Sequence, residues 1–230
     1  MHGGILHGDQ LWSRRGQPST YYQYSSGIGL ALDAQKKGPL RVGVIGLGAG
    51  TLAAYGAPGD TFRFYEINPE VPRLARQWFT YLGDSKATIE LALGDARPSL
   101  EREPAQGFAV LVVDAFSSDA IPVHLITREA VQLYRRHLRP GGTLAFHVTN
   151  RYLDLAPVLL EIAVAERLQI ANVVDDDQGT TATDRVLLSE GREVLDDEDV
   201  LEKTRSIKTS KKWPLWTDEY SNLLQIFRLR

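Results

Sequence analysis

From residue 41 onward, short apolar runs alternate with stretches whose apolar residues recur at helical spacing. The runs predict strands over 41–45, 61–66, 89–93, 108–114 and 143–148, and the periodic stretches predict helices near Thr51 and over 70–79, 127–138 and 155–167. Parallel strands need long crossovers, so this alternation predicts a parallel sheet with helices on both faces. The run 108–113, FAVLVV, is apolar throughout, as a strand buried on both faces should be. In 127–138, Ala130, Val131, Leu133, Tyr134 and Leu138 share one face, Thr127 is placed to cap the start, and Pro140-Gly141-Gly142 to stop the helix. Late strands over 185–189 and 223–228 complete a doubly wound, mostly parallel α/β sheet of seven strands, with room for one of the late pair to run antiparallel. Residues 1–38 stand outside the alternation. Their mixture of glycine, aromatic and β-branched residues predicts a short β-hairpin around 5–12, then a helix or strand over 21–32, laid as a lid across the ligand face of the 39–230 domain.

Composition narrows the classes. At 230 residues, 43% hydrophobic and 24% charged, the chain can bury one full core. A net charge of -3 provides no general pull toward nucleic acid. The absence of cysteine excludes disulfides and thiolate metal sites, and the five histidines (His2, His7, His124, His137, His147) show no metal-ligand spacing. No apolar run approaches the roughly 18 residues that would cross a bilayer, and the N-terminus lacks the layout of a signal peptide, so the sequence reads as cytoplasmic with no membrane partner. In 193–212 an acidic run precedes a basic one; a solvated helix and loop with internal charge pairing is the expectation, and a docking element the alternative.

The candidate chemistry begins where the first strand ends. Val42–Ile45 runs into Gly46, Gly48 and Gly50, a turn that lets backbone N–H groups approach a ligand with no Cβ in the way. Glu66 closes the second strand about 20 residues beyond Gly46, the usual distance for a carboxylate that grips ribose hydroxyls. A dinucleotide fingerprint would place glycine at 51, where this chain has Thr51, so an adenosine-bearing ligand without a pyrophosphate fits better than NAD. The plainer alternative is a tight αβ corner with Glu66 in solvent.

Ligands of open α/β sheets lie beyond the carboxyl ends of the strands. Glu66, Asp95 and Asp114 all sit there. Asp95 is expected to accept from an adenine amine, with a helix N-cap as its alternative role. Asp114 is expected to face the reacting end of the ligand. Asp119 returns a second carboxylate to the same mouth, suited to a cationic substrate, or else closes an Asx turn before Pro122.

These residues resemble the polyamine aminopropyltransferases, spermidine synthase-like proteins with the Rossmann-like class I methyltransferase fold. The likeness runs over most of the chain: Leu6-His7-Gly8 with Gln10, Tyr22-Gln23, the glycine turn, Glu66-Ile67-Asn68-Pro69, Gly94-Asp95-Ala96, Asp114 with Ser117-Ser118-Asp119, then Pro122, the helix from Thr127, and Gly141-Gly142. The resemblance implies a Rossmann-like catalytic domain over 39–230. It places Gln10, Gly46, Gly48, Ala49, Glu66, Asp95 and Ala96 around the adenosyl donor, and Tyr22, Gln23, Asp119 and the late Tyr220 around an amine. It makes Asp114 the base.

The implied reaction is in-line displacement at the carbon beside the sulfonium of decarboxylated S-adenosylmethionine by an amine such as putrescine. An alkylammonium has a pKa near that of lysine, about 10.4, so the nucleophile must first lose a proton. Two departures bear on this. Ala49 stands where the family usually has an aspartate for the ammonium of the aminopropyl group, and the stretch between Asp114 and Asp119 is two residues longer than usual. The first opens an alternative of the same fold, a methyltransferase or other alkyltransferase using intact S-adenosylmethionine; a non-catalytic nucleoside-binding module is a third class. Homo-oligomerisation is implied by the resemblance alone.

Overall fold

The computed structural model describes Gln10 and residues 16–115, 122–150, 152–176, 182–209 and 213–227. Its centre is one sheet, formed by β1 (Arg41–Ile45), β2 (Thr61–Glu66), β3 (Thr88–Leu93), β4 (Phe108–Val113), β5 (Leu138–His147), β6 (Gln169–Asp175), β7 (Thr183–Ser189) and β8 (Thr204–Arg205). The strand order is β3-β2-β1-β4-β5-β7-β6-β8. Pairings from β3 through β5 are parallel, while β7 runs antiparallel to both β5 and β6. This is the expected doubly wound sheet with a two-residue eighth strand at its edge.

Among the described residues seven helices flank it: α1 (Gly27–Ala34), α2 (Glu70–Trp78), α3 (Tyr81–Asp84), α4 (Ala96–Arg102), α5 (Arg128–Arg136), α6 (Ala156–Glu166) and α7 (Glu198–Lys203). Side chains alternate across β4, so Leu111 and Val113 join a core built with α5 and α6, while Val110 and Val112 join one built with α1. Every residue of β4 is buried, which is why its sequence shows no alternation.

Several boundaries differ from expectation for identifiable reasons. The described part of the stretch expected as a strand, 223–227, is not one; Leu223–Ile226 is a 3-10 turn capped by the Asn222 side chain, and Phe227 makes a single bridge to Leu153. Only Ile226 is buried there, whereas Leu224 is 81% exposed, so the apolar run has no sheet to enter. The other late strand is instead β6, which pairs antiparallel with β7 and β8. Helix α5 stops at Arg136, and Pro140-Gly141-Gly142 already lies within β5, beside a register shift opposite Phe108. The helix near Thr51 is a 3-10 segment, Thr51–Tyr55, and the 21–32 element divides into a 3-10 turn (Thr20–Tyr22) and α1. The hairpin expected around 5–12 lies, except for Gln10, outside the described residues.

Thr127 caps α5 by accepting from Ala130 N at 3.2 Å, as its position predicts. The charged stretch pairs with neighbouring parts of the molecule: Asp196 with Arg192 just before it, and Lys203 with the buried Asp175 of β6 at 2.8 Å. Among the described residues no helix is long and apolar enough to cross a membrane.

Candidate active site

The backbone ladder continues one step past the strand ends. Gly46 N donates to Tyr65 O at 2.8 Å, Asp114 N to Ile45 O at 2.9 Å, and Gly94 N to Glu66 O at 2.9 Å. Parallel register therefore sets Asp114, Gly46, Glu66 and Gly94-Asp95 side by side along one edge. At Gly46, with φ +99°, a Cβ would lie 2.4 Å from the Asp114 carbonyl oxygen, so the turn closes against β4 only with glycine there.

Glu66 is buried and faces the turn. Its Oε2 accepts from Leu47 N at 3.0 Å and its Oε1 from Asn68 N at 2.9 Å. The carboxylate thus fixes the glycine turn itself, and each oxygen keeps a further lone pair for a hydroxyl. Asp95 caps α4, Oδ1 accepting from Arg97 N at 3.0 Å, while Oδ2 lies 3.1 Å from His124 Nε2. Ala96, at the start of α4, is buried beside it. Ala49 is also buried, at 1% exposure.

Asp114 does not stand open to an incoming amine, contrary to expectation. Its side chain is 5% exposed and clamped, with Oδ1 2.8 Å from His147 Nδ1 and Oδ2 3.1 Å from Arg185 Nη1. The nearby Tyr22 hydroxyl also favours its charged form. Burial alone would raise its pKa; the Arg185 guanidinium, His147 and the hydrogen bonds outweigh that and hold the carboxyl well below the usual range. Around the clamp, the Tyr22 ring lies 5.5 Å from the Arg185 guanidinium carbon and the Tyr21 ring 5.2 Å from that of His147. Burial, with Asp114 adding and Arg185 opposing, pushes the Tyr21 hydroxyl up to about 12 and Tyr22 well above its ordinary value, so both are donors at neutral pH.

Arg185 is fully buried, and its Nε and Nη2 have no hydrogen-bond partner among the described residues. It is held by one carboxylate and the face of Tyr22. Neither His147 nor Arg185 was singled out from the sequence. Arg185 carried a signal, being a lone charge in the apolar stretch RVLLS, and His147 ends the run Leu144–Phe146 at a strand tip.

The remaining candidates are dispersed. Gln10 bonds Thr80 through both ends of its amide, Nε2 to Oγ1 at 2.8 Å and Oε1 from N at 3.0 Å. Gln23 follows Tyr22, half-buried. Tyr220 is 45% exposed on a turn that Asp218 ties to Arg97 and Thr127. No hydrogen bond or ring contact joins Tyr220 to Tyr22 or Asp114 among the described residues. Asp119, with Ser117 and Ser118, lies outside the described residues. No cluster of three or more acidic or histidine side chains suited to a metal occurs among the described residues.

No family model matches the chain. A polyamine aminopropyltransferase of Vibrio vulnificus (strain CMCP6) is 31% identical over 111 residues, 46% of this chain and 36% of that protein, so the match spans about a third of that relative's length. Among solved structures, a probable spermidine synthase from Corynebacterium glutamicum ATCC 13032 superposes with a TM-score of 0.57 at 22% identity, covering 79% of this chain and 65% of that one. A spermidine synthase in complex with the transition-state analogue AdoDATO gives 0.53 at 16%, covering 92% and 71%. An O-methyltransferase from Bacillus cereus in complex with SAH gives 0.51 at 18%, covering 69% and 77%. The chain is thus similar in part of its sequence to a polyamine aminopropyltransferase and has the class I methyltransferase fold that spermidine synthases and methyltransferases share.

Proposed function

We propose that this protein is a spermidine synthase-like aminopropyltransferase, seating an adenosyl sulfonium across the tips of β1 to β4 and passing its alkyl group to an amine. One observation carries the reading. Gly46, Glu66 and Asp95 occupy adjacent ladder positions with Asp114 on the other flank of the turn. Glu66 would add the ribose hydroxyls to its hold on the turn. Asp95 and Ala96 would meet the adenine, and the exposed Ile67 and Leu93 give its rings apolar cover. Tyr22 and Gln23 would border the amine.

Asp114 suits an anchoring part better than that of the base. Each pKa unit between donor and acceptor is worth about 1.36 kcal/mol, and a carboxyl held below its usual range is a poor place for the proton of an ammonium near pKa 10.4. Permanently ionised, it instead fixes the His147 ring and the Arg185 guanidinium. Rate then comes chiefly from alignment of amine nitrogen, carbon and sulfur.

A second reading, a methyltransferase or other alkyltransferase on intact S-adenosylmethionine, is favoured by two features. Ala49 offers the donor no carboxylate, and Arg185 cancels the charge of Asp114 that would draw a cationic acceptor. Calorimetric titration with S-adenosylmethionine, its decarboxylated form and methylthioadenosine, followed by assay of methylthioadenosine release with putrescine, separates the two. Tighter binding of the decarboxylated donor with release is the expected result. Preference for the carboxylated donor without release moves the assignment to the second reading, and binding without any turnover to a nucleoside-binding module.

A further inference from the structure

The inference that follows rests on the alkyl-transfer reading above and names its acceptor class. We propose that Arg185 is a resident cation filling the counter-ion place at Asp114, and that it turns acceptor preference away from diamines toward amines without a second positive charge.

Asp114 sits where a cationic substrate would be held. It follows β4 beside the glycine turn, near the Tyr22 ring, whose centroid lies 4.7 Å from that of Tyr21. A carboxylate next to aromatic faces is a general receptor for an ammonium. Here the chain supplies the cation itself. β7 runs antiparallel beside β5 and sets Arg185 directly opposite His147, so the guanidinium reaches Asp114 Oδ2 at 3.1 Å and lies over the Tyr22 ring. His147 Nδ1 lies 2.8 Å from the other oxygen. Room for the arginine stem is built in. A Cβ on Gly27, the first residue of α1, would lie 2.8 Å from Arg185 Cβ and 3.1 Å from its Cγ.

Stability does not account for the arginine. A guanidinium carries N–H donors on all three nitrogens, yet among the described residues Nη1 alone is hydrogen-bonded, and Nε and Nη2 are buried without partners. A buried ion pair so incompletely satisfied adds little over an apolar pair of the same volume. What Arg185 does supply is charge. Carboxylate and guanidinium cancel, so a second ammonium arriving here must shed its water for no net attraction, whereas an uncharged alkyl tail has no such hydration to lose. Arg185 is itself enclosed and acts through Asp114.

Acceptor selectivity and ligand rescue test this. With donor saturating, wild type should favour putrescine over n-butylamine in kcat/KM by no more than about twofold, the statistical advantage of two equivalent amines. Arg185→Ala empties the cation place and should raise that ratio at least about tenfold, the lower end of what close charge pairs contribute. A stronger wild-type preference for putrescine overturns the assignment whether or not the variant folds. A smaller rise in the folded variant also overturns it. The second arm needs no turnover. Ethylguanidinium has the atoms that the substitution removes, so against sodium chloride of equal ionic strength it should raise the melting temperature of Arg185→Ala by about 2–4 °C and leave wild type unmoved. No rise in the folded variant, or an equal rise in wild type, overturns the resident cation. Failure of wild type to turn over any amine instead removes the transferase reading and the acceptor preference with it, an outcome distinct from turnover with the wrong ranking.

Discussion

Replacing Asp114 by asparagine removes the only carboxylate within reach of Arg185 among the described residues while preserving side-chain shape. Arg185 is completely buried, and two of its donor nitrogens lack partners among the described residues, so it cannot swing out to water. For an exposed pair the loss would be about 0–1 kcal/mol. For a pair with side chains 5% and 0% exposed, leaving one charge uncompensated costs about 3–5 kcal/mol. In a chain of this size each kcal/mol lowers the melting temperature by about 2–4 °C, so Asp114→Asn should melt roughly 6–20 °C lower. Urea titration gives the free energy directly, and Asp114→Asn/Arg185→Met should recover most of it, because the double variant buries no charge. The pH dependence has a fixed sign. Since the folded carboxyl titrates below its unfolded value of about 3.9, its contribution is whole above that pH and is lost progressively as the pH falls below it. The single variant should lack that acid limb. A loss under about 1 kcal/mol, or a double variant no more stable than Asp114→Asn, refutes the reasoning that the pair is a closed, charge-neutral unit.

Other consequences follow from the turn. Gly46→Ala meets the Asp114 carbonyl at 2.4 Å and a positive φ, and should cost at least about 1–3 kcal/mol in urea titration and abolish donor binding by calorimetry. Glu66→Gln replaces a carboxylate that accepts two backbone N–H groups with an amide that has one accepting oxygen; donor affinity should fall about tenfold, the worth of roughly one charge-assisted bond, and an unchanged Kd would detach Glu66 from the ligand. Ala49→Asp places a carboxylate at a 1% exposed position, so the free protein should melt lower, and decarboxylated S-adenosylmethionine should restore more of the loss than S-adenosylmethionine does. Equal restoration by both would mean that the turn does not read that end of the donor.

The sequence alone determined the sheet, because burial on both faces or on one leaves a local record. The unbroken apolar run of β4, the helical spacing in α5 and the Thr127 cap each depend on neighbours a few residues away. The glycine turn with Glu66 was legible for the same reason, since strand, turn, helix and strand follow one another directly. Where the tertiary environment overrode local pattern, the sequence misled. The apolar stretch around Leu224 suggests a strand, yet only pairing along a sheet edge could make it one, and among the described residues it makes no more than the single bridge from Phe227 to Leu153. The chemistry of Asp114 was decided in the same way. Its place at a strand tip could be read from residues 108–114, but its proton affinity is set by Arg185, 71 positions away, and by His147, 33 away. Electrostatic energy depends on distance through a poorly screening interior, and no periodicity along the chain encodes which buried charge an antiparallel β7 will deliver beside it.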